Sequence, residues 1–184
     1  FTIDKNLTED ILKKGKVISS LLHLKNIVEQ LFSVKSITFF IFYQKDIPLG
    51  ISISGSTSST WYMLFTKQEP ISQVLLTLQP LLISESIEKI LFNAKFFFQI
   101  LSDNHIRFNG NFFDITIAEY LLNPDMGRTF SNLIQRYNID TINIELLDLN
   151  SSTDISAYLI EAAILLRKIK IKSEFRLKEN NLLK

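Results

Sequence analysis

The chain has 184 residues, 46% of them hydrophobic, with 20 basic and 19 acidic side chains and a formal net charge of +1. That balance fits one globular domain over residues 1–184, long enough to bury a sizeable core, and excludes a disordered chain or a surface basic enough to coat nucleic acid or an anionic membrane as a whole. Without cysteine there are neither disulfides nor thiolate metal sites, and His23 and His105 are too few for a histidine-rich zinc site.

In chain order, residues 17–20 read as a short apolar strand. Residues 21–32, "LLHLKNIVEQLF", space Leu21, Leu24, Ile27, Val28 and Leu31 as a helix does. Three strands are expected at 36–44, 49–55 and 60–66, with turn chemistry at 45–48 and 55–59. Connections that short dictate an antiparallel meander. Residues 71–82 read as a helix with Pro80 near its end, and 86–92 as a buried strand. Asn93 is a good N-cap for a helix over 94–104. Further helices are expected at 113–124, stopped by Pro124, at 129–137, and from about 155 to 171. No apolar run is long enough to cross a bilayer, and nothing at the start resembles a signal peptide. The opening at Phe1 and the charged tail suggest a piece of a longer protein. The resulting order predicts an α/β fold: a mixed sheet with helices packed on it.

The block "NAKFFFQIL" (residues 93–101) resembles the Asn-Leu-Lys-Tyr-Asp run of the 3′–5′ proofreading exonuclease domain of bacterial DNA polymerase I, the family A polymerases. "FFDITIAEYLLNP" is similar to that family's Phe-Asp-Thr-Met-Leu-Ala-x-Tyr-Leu-Leu-x-Pro, and "YLIEAAILLRKI" resembles its Tyr-x-x-Glu-Asp-Ala-Asp helix. The resemblance covers nearly the whole chain. It implies a ribonuclease H-like fold, with three antiparallel strands first and parallel additions, flanked by helices.

It also implies a chemistry in which four carboxylates hold two hard divalent cations roughly 3.5–4 Å apart. At the matching positions this chain carries Phe40 and Phe42 in place of Asp-x-Glu, with no acid anywhere in residues 37–44. Phe97 stands for the aspartate of the second motif. Tyr158 matches the active-site tyrosine, Ala162 the aspartate four residues on, and Ile164 the next acid. The resemblance therefore implies a degenerate site without catalytic residues or metal, in which Phe40, Phe42 and Phe97 fill one vacated cleft. A carboxylate cluster without its cations suffers mutual repulsion, which hydrophobic replacements remove.

Milder readings accompany these. Asn93, Lys95 and Arg128 could touch a DNA backbone, although a helix cap and solvated cations are the plainer reading. Asp114 and Glu161, both retained from the family pattern, are read as structural rather than as relocated ligands. Asp103, His105 and Asp114 could be imagined as a new metal cluster, but His105 follows a helix end and is expected to meet its carbonyls. The tail "RKIKIKSEFRLK" is basic enough to meet phosphates, and Trp61 is expected in the core.

The expectation is thus an inactive exonuclease-like domain that supports the polymerase domain of the same chain in DNA replication and repair in the bacterial cytoplasm. It would need no cofactor of its own, with Mg²⁺ confined to the parent's polymerase domain, and would bind DNA weakly and no membrane. The alternatives are a weak metal-dependent 3′–5′ exonuclease with relocated ligands and a stand-alone interaction module on the same fold.

Overall fold

The computed structural model describes residues 5–55, 59–127, 129–137, 148 and 150–183. Its elements run α1 (Lys5–Leu12), β1 (Gly15–Val17), α2 (Leu21–Leu31), β2 (Ser36–Gln44), β3 (Ile47–Gly55), β4 (Thr60–Leu64), α3 (Ile71–Leu82), β5 (Glu88–Leu91), α4 (Ala94–Asp103), β6 (Phe112–Asp114), α5 (Ile115–Leu122), α6 (Phe130–Arg136) and α7 (Ser152–Glu179). The six strands form one sheet in the order β1-β4-β3-β2-β5-β6. β2, β3 and β4 are the expected antiparallel meander; β5 joins β2, β6 joins β5 and β1 joins β4, all in parallel.

Alternation along the strands sorts side chains onto two buried faces. Phe39, Ile41, Ile51, Ile53, Trp61 and Met63 point toward α2, α3 and α4 and build one core. Phe40, Phe42 and Ile90 point the other way and pack with α1, α5, α6 and α7. Both faces being covered, β2 reads as a nearly unbroken apolar run rather than an alternating one.

α7 lies close to the sheet because small residues face it. A Cβ on Gly50 would come within 2.8 Å of a Leu159 methyl and of the Met63 carbonyl oxygen, and one on Gly15 within 2.4 Å of the Ile160 side chain. On the helix, Ala162 and Ala163 are fully buried. At 28 residues α7 is the longest element and runs roughly 42 Å.

Several boundaries differ from the sequence reading. The β2–β3 turn is only Lys45 and Asp46, both with positive φ (49° and 65°), so β3 begins at Ile47 and takes in Pro48 at a register shift opposite Tyr43. Two positive-φ residues give the turn whose twist matches a hairpin. β1 lies at Gly15–Val17 rather than 17–20, and Ser20 is the cap of α2, its hydroxyl accepting from the His23 N–H at 3.1 Å. The helix expected over 113–124 is split, its first two residues ending β6, a strand too short to carry a periodic signal. α1 was not anticipated, and α7 extends beyond 155–171 at both ends. Among the described residues no helix is long and apolar enough to cross a membrane.

Candidate functional site

The motif positions converge where β2 faces α7. Phe40 and Phe42 share a face of β2, and Tyr158 and Ala162 stand one turn apart on α7. Phe92, just past β5, and Phe130, the first residue of α6, complete the group. Ring centroids lie 4.9 Å apart for Phe42–Tyr158, and 5.7 Å for Phe40–Tyr158, Phe40–Phe130 and Phe92–Phe130. The rings are tilted or edge-on, the favoured arrangements for aromatic pairs. Burial, reinforced by the nearby Tyr43 phenol, raises the Tyr158 pKa well above that of an ordinary phenol.

Phe97 does not join this group. It sits in the opposite core, 6.2 Å from Phe39, while its neighbour Phe96 stacks on Tyr43 at 4.0 Å. The single cleft expected for Phe40, Phe42 and Phe97 is therefore two separate packings on two sides of the sheet. The cause is the amphipathic pattern of α4, which turns Ala94, Phe97, Ile100 and Leu101 together into the core that contains Phe39.

Local hydrogen bonds account for Asn93, Asp114 and His105. Asn93 adopts a left-handed conformation (φ 57°) and caps α4, its side-chain oxygen accepting from the Phe96 N–H at 3.4 Å. Asp114 ties two helix starts together: one oxygen accepts from Ala94 N–H of α4 at 3.0 Å and the other from Thr116 N–H of α5 at 2.8 Å. Glu161 is buried on α7 and Lys95 is exposed on α4. Arg128 lies outside the described residues. His105 has positive φ and ends α4 through its backbone rather than its ring: its N–H donates to Ser102 O (3.0 Å), and Ile106 N–H donates to Leu101 O (2.9 Å).

The donor set decides what this centre can hold. Hard divalent cations take six or more oxygens, from carboxylates, carbonyls or water. The side chains of Phe40, Phe42, Phe92, Phe130 and Ala162 carry no oxygen, and Tyr158 adds only a neutral phenol. Asp114 already spends both carboxylate oxygens on backbone N–H groups. Among the described residues no three Asp, Glu or His side chains are grouped to hold a metal. The residues at the centre do not fit a pair of divalent cations.

A buried charged network escaped the sequence reading. Glu119 of α5 is 0% exposed and accepts from Arg136 Nη1 (2.6 Å), from the Tyr137 hydroxyl and from Ser173 Oγ (2.8 Å). Arg136 also donates to Gly127 O at 3.0 Å. Burial first, then the hydrogen bond to Glu119, raises the Tyr137 phenol pKa. The network joins α5, α6 and α7. Lys89 is another missed group, fully buried in β5 and donating to the Ser84 and Asn109 carbonyls; burial lowers its pKa.

With this geometry in view, the comparisons with known proteins agree on the fold. The profile of the DNA polymerase I ribonuclease H-like domain matches residues 42–146, and the chain belongs to that family. No curated protein matches by sequence. Among solved structures, Escherichia coli RNase D, an exoribonuclease involved in structured RNA processing, superposes with a TM-score of 0.74 at 13% identity, over 92% of this chain and 46% of that one. The catalytic core of RRP6 from Trypanosoma brucei gives 0.74 at 14% identity, over 94% and 50%. Brucella melitensis NrnC with bound Mg²⁺ gives 0.65 at 15%, over 91% and 81%. The chain thus spans about half the length of the first two. At such identities the likeness concerns the exonuclease fold, and the mixed α/β architecture expected from the sequence is the one observed.

Proposed function

We propose that this chain is an exonuclease-like domain that has lost phosphodiester cleavage and serves as structural support for the polymerase domain of a longer DNA polymerase I. One observation carries the reading: Phe40, Phe42 and Ala162, which match ligand positions of two family motifs, meet Tyr158, the match of the active-site tyrosine, in a ring-packed core instead of an acidic cleft. A two-metal centre activates the attacking water and stabilises the leaving oxygen, and neither role has a holder here. Burying each phenylalanine contributes roughly 1.5–3 kcal/mol to folding, so the former centre now works for stability.

Scaffolding is further supported by the outer half of α7, where Ile171 (64% exposed) and Phe175 (62% exposed) stand one turn apart as an apolar pair suited to a neighbouring domain. In this reading Mg²⁺ belongs to the parent's polymerase domain, and the setting is replication and repair in a bacterial cytoplasm. The test incubates the purified chain with end-labelled single-stranded DNA and Mg²⁺ or Mn²⁺. No shortening beyond a metal-free control is expected. Metal-dependent shortening by the chain would overturn the reading, and its loss in Asp114→Asn or Glu161→Gln would point to an exonuclease with relocated ligands.

A further inference from the structure

The basic run at 167–178 divides in the folded protein. Lys170 pairs with Glu88 (3.1 Å) and Glu174 (2.5 Å), Lys178 pairs with Glu174 (2.9 Å), and Lys172 lies 5.8 Å from the centre of the Tyr137 ring. Arg167 and Lys168 turn elsewhere. They line a groove of about 550 Å³ whose other wall carries Lys13, Lys14 and Lys16 from the α1–β1 segment, beside Ser59 at the β3–β4 connection.

Among the described residues that line the groove five are basic and none is acidic, in a chain whose net charge is only +1. Lys13 shares its charge with Asp10 at 2.9 Å. Lys14, Lys16 and Lys168 are exposed, and Lys16 Nζ reaches Ser59 Oγ at 3.4 Å. Arg167 is fixed in place by neutral acceptors, the Ser54 and Gly55 carbonyls and Ser36 Oγ (3.2 Å), so its charge is oriented without being cancelled. A planar guanidinium set among lysines and hydroxyls is the chemistry that meets phosphate oxygens.

We infer that this groove takes the phosphodiester backbone of a single nucleic-acid strand, at a site apart from the ring-filled centre. The cations come from both ends of the chain and are spread along an open concavity, which suits a string of phosphates better than one enclosed anion. A single strand can bend its backbone into such a concavity, whereas a duplex is a stiff rod. Among the described residues no aromatic side chain lines the groove, so they offer no stacking platform and no base preference is expected.

The test is fluorescence anisotropy of labelled oligothymidylate with the 184-residue chain, without divalent metal, so that it reports binding and is silent on cleavage. If Lys14, Lys16, Arg167 and Lys168 each neutralise a phosphate, raising salt from about 50 to 200 mM weakens binding roughly 50-fold. Lys14→Ala/Lys16→Ala/Lys168→Ala changes only exposed residues and should lower the salt slope by about 2, with an unchanged circular dichroism spectrum. Should that triple variant misfold, Lys168→Glu alone makes the same test. Lys25→Ala/Lys35→Ala/Lys95→Ala, equally exposed on other elements, should bind as the parent does, and oligoadenylate should bind like oligothymidylate. Absence of binding at low salt, equal loss in the control triple, or equal affinity for a duplex would overturn the inference.

Discussion

Two buried regions flank α7 and handle charge in opposite ways. Around Tyr158 the packing is made of the Phe40, Phe42, Phe92 and Phe130 rings and the Ala162 methyl group. Around Glu119 a carboxylate is wholly buried, yet Arg136, Tyr137 and Ser173 satisfy it from within the chain. A buried charge is tolerated when its partners are covalently part of the fold, because they are present whenever the protein is folded. Carboxylates that rely on captured cations lack that guarantee. The contrast teaches that this fold can bury an acid where folding itself supplies the counter-charge; in the function proposed above, rings stand where the counter-charge would have to be captured.

The sharpest way to break the contrast is Phe40→Asp. It removes a packed ring and buries a carboxylate with no partner, and should cost more than about 5 kcal/mol. Urea denaturation with and without Mn²⁺ measures it, and a large rescue by Mn²⁺ would mean that the centre can still hold metal. Glu119→Ala comes next, stranding Arg136 at an expected loss of about 3–5 kcal/mol, whereas Glu119→Leu/Arg136→Met should recover most of it.

Alkaline titration reads both regions at once. Tyr158 and Tyr137 have pKa values raised above the ordinary 10.0, so the stability they contribute is complete below pH 10 and is lost as pH rises through their folded values. Followed by phenolate absorbance, two of the 5 tyrosines should ionise only as the protein unfolds. Simultaneous ionisation of all of them before unfolding would contradict the packing. The smallest effect is expected at the surface. Glu174→Ala removes the Lys170 and Lys178 pairs and should cost about 0.2–1 kcal/mol. Hydrogen bonds from Lys170 and Lys178 lower the Glu174 pKa, so this contribution is present above pH 4.5 and fades as pH falls through the folded value.

What could be read beforehand was what neighbours in sequence determine. The meander followed from short connections, the Asn93 cap from chemistry completed within three residues, and the absence of acids in β2 from inspection. The face chosen by Phe97 could not be read, since it depends on the side of the sheet against which α4 packs. Glu119 looked like any helical acid because its partners lie 17 and 54 residues away. The tail's charges looked uniform, and only the approach of α7 to β1 separated Arg167 and Lys168 from the paired lysines. β6 exists because β5 offers it a partner, not because three residues carry a period.

Among the described residues the sheet ends on both sides in strands of only three residues, β1 and β6, each aligned in parallel with a longer neighbour. A row of open backbone donors and acceptors so short gives a second molecule almost nothing to zip onto. A domain with this much buried aromatic surface is thereby guarded against stacking with its own copies into fibrils, and its long, adhesive strands are kept in the interior.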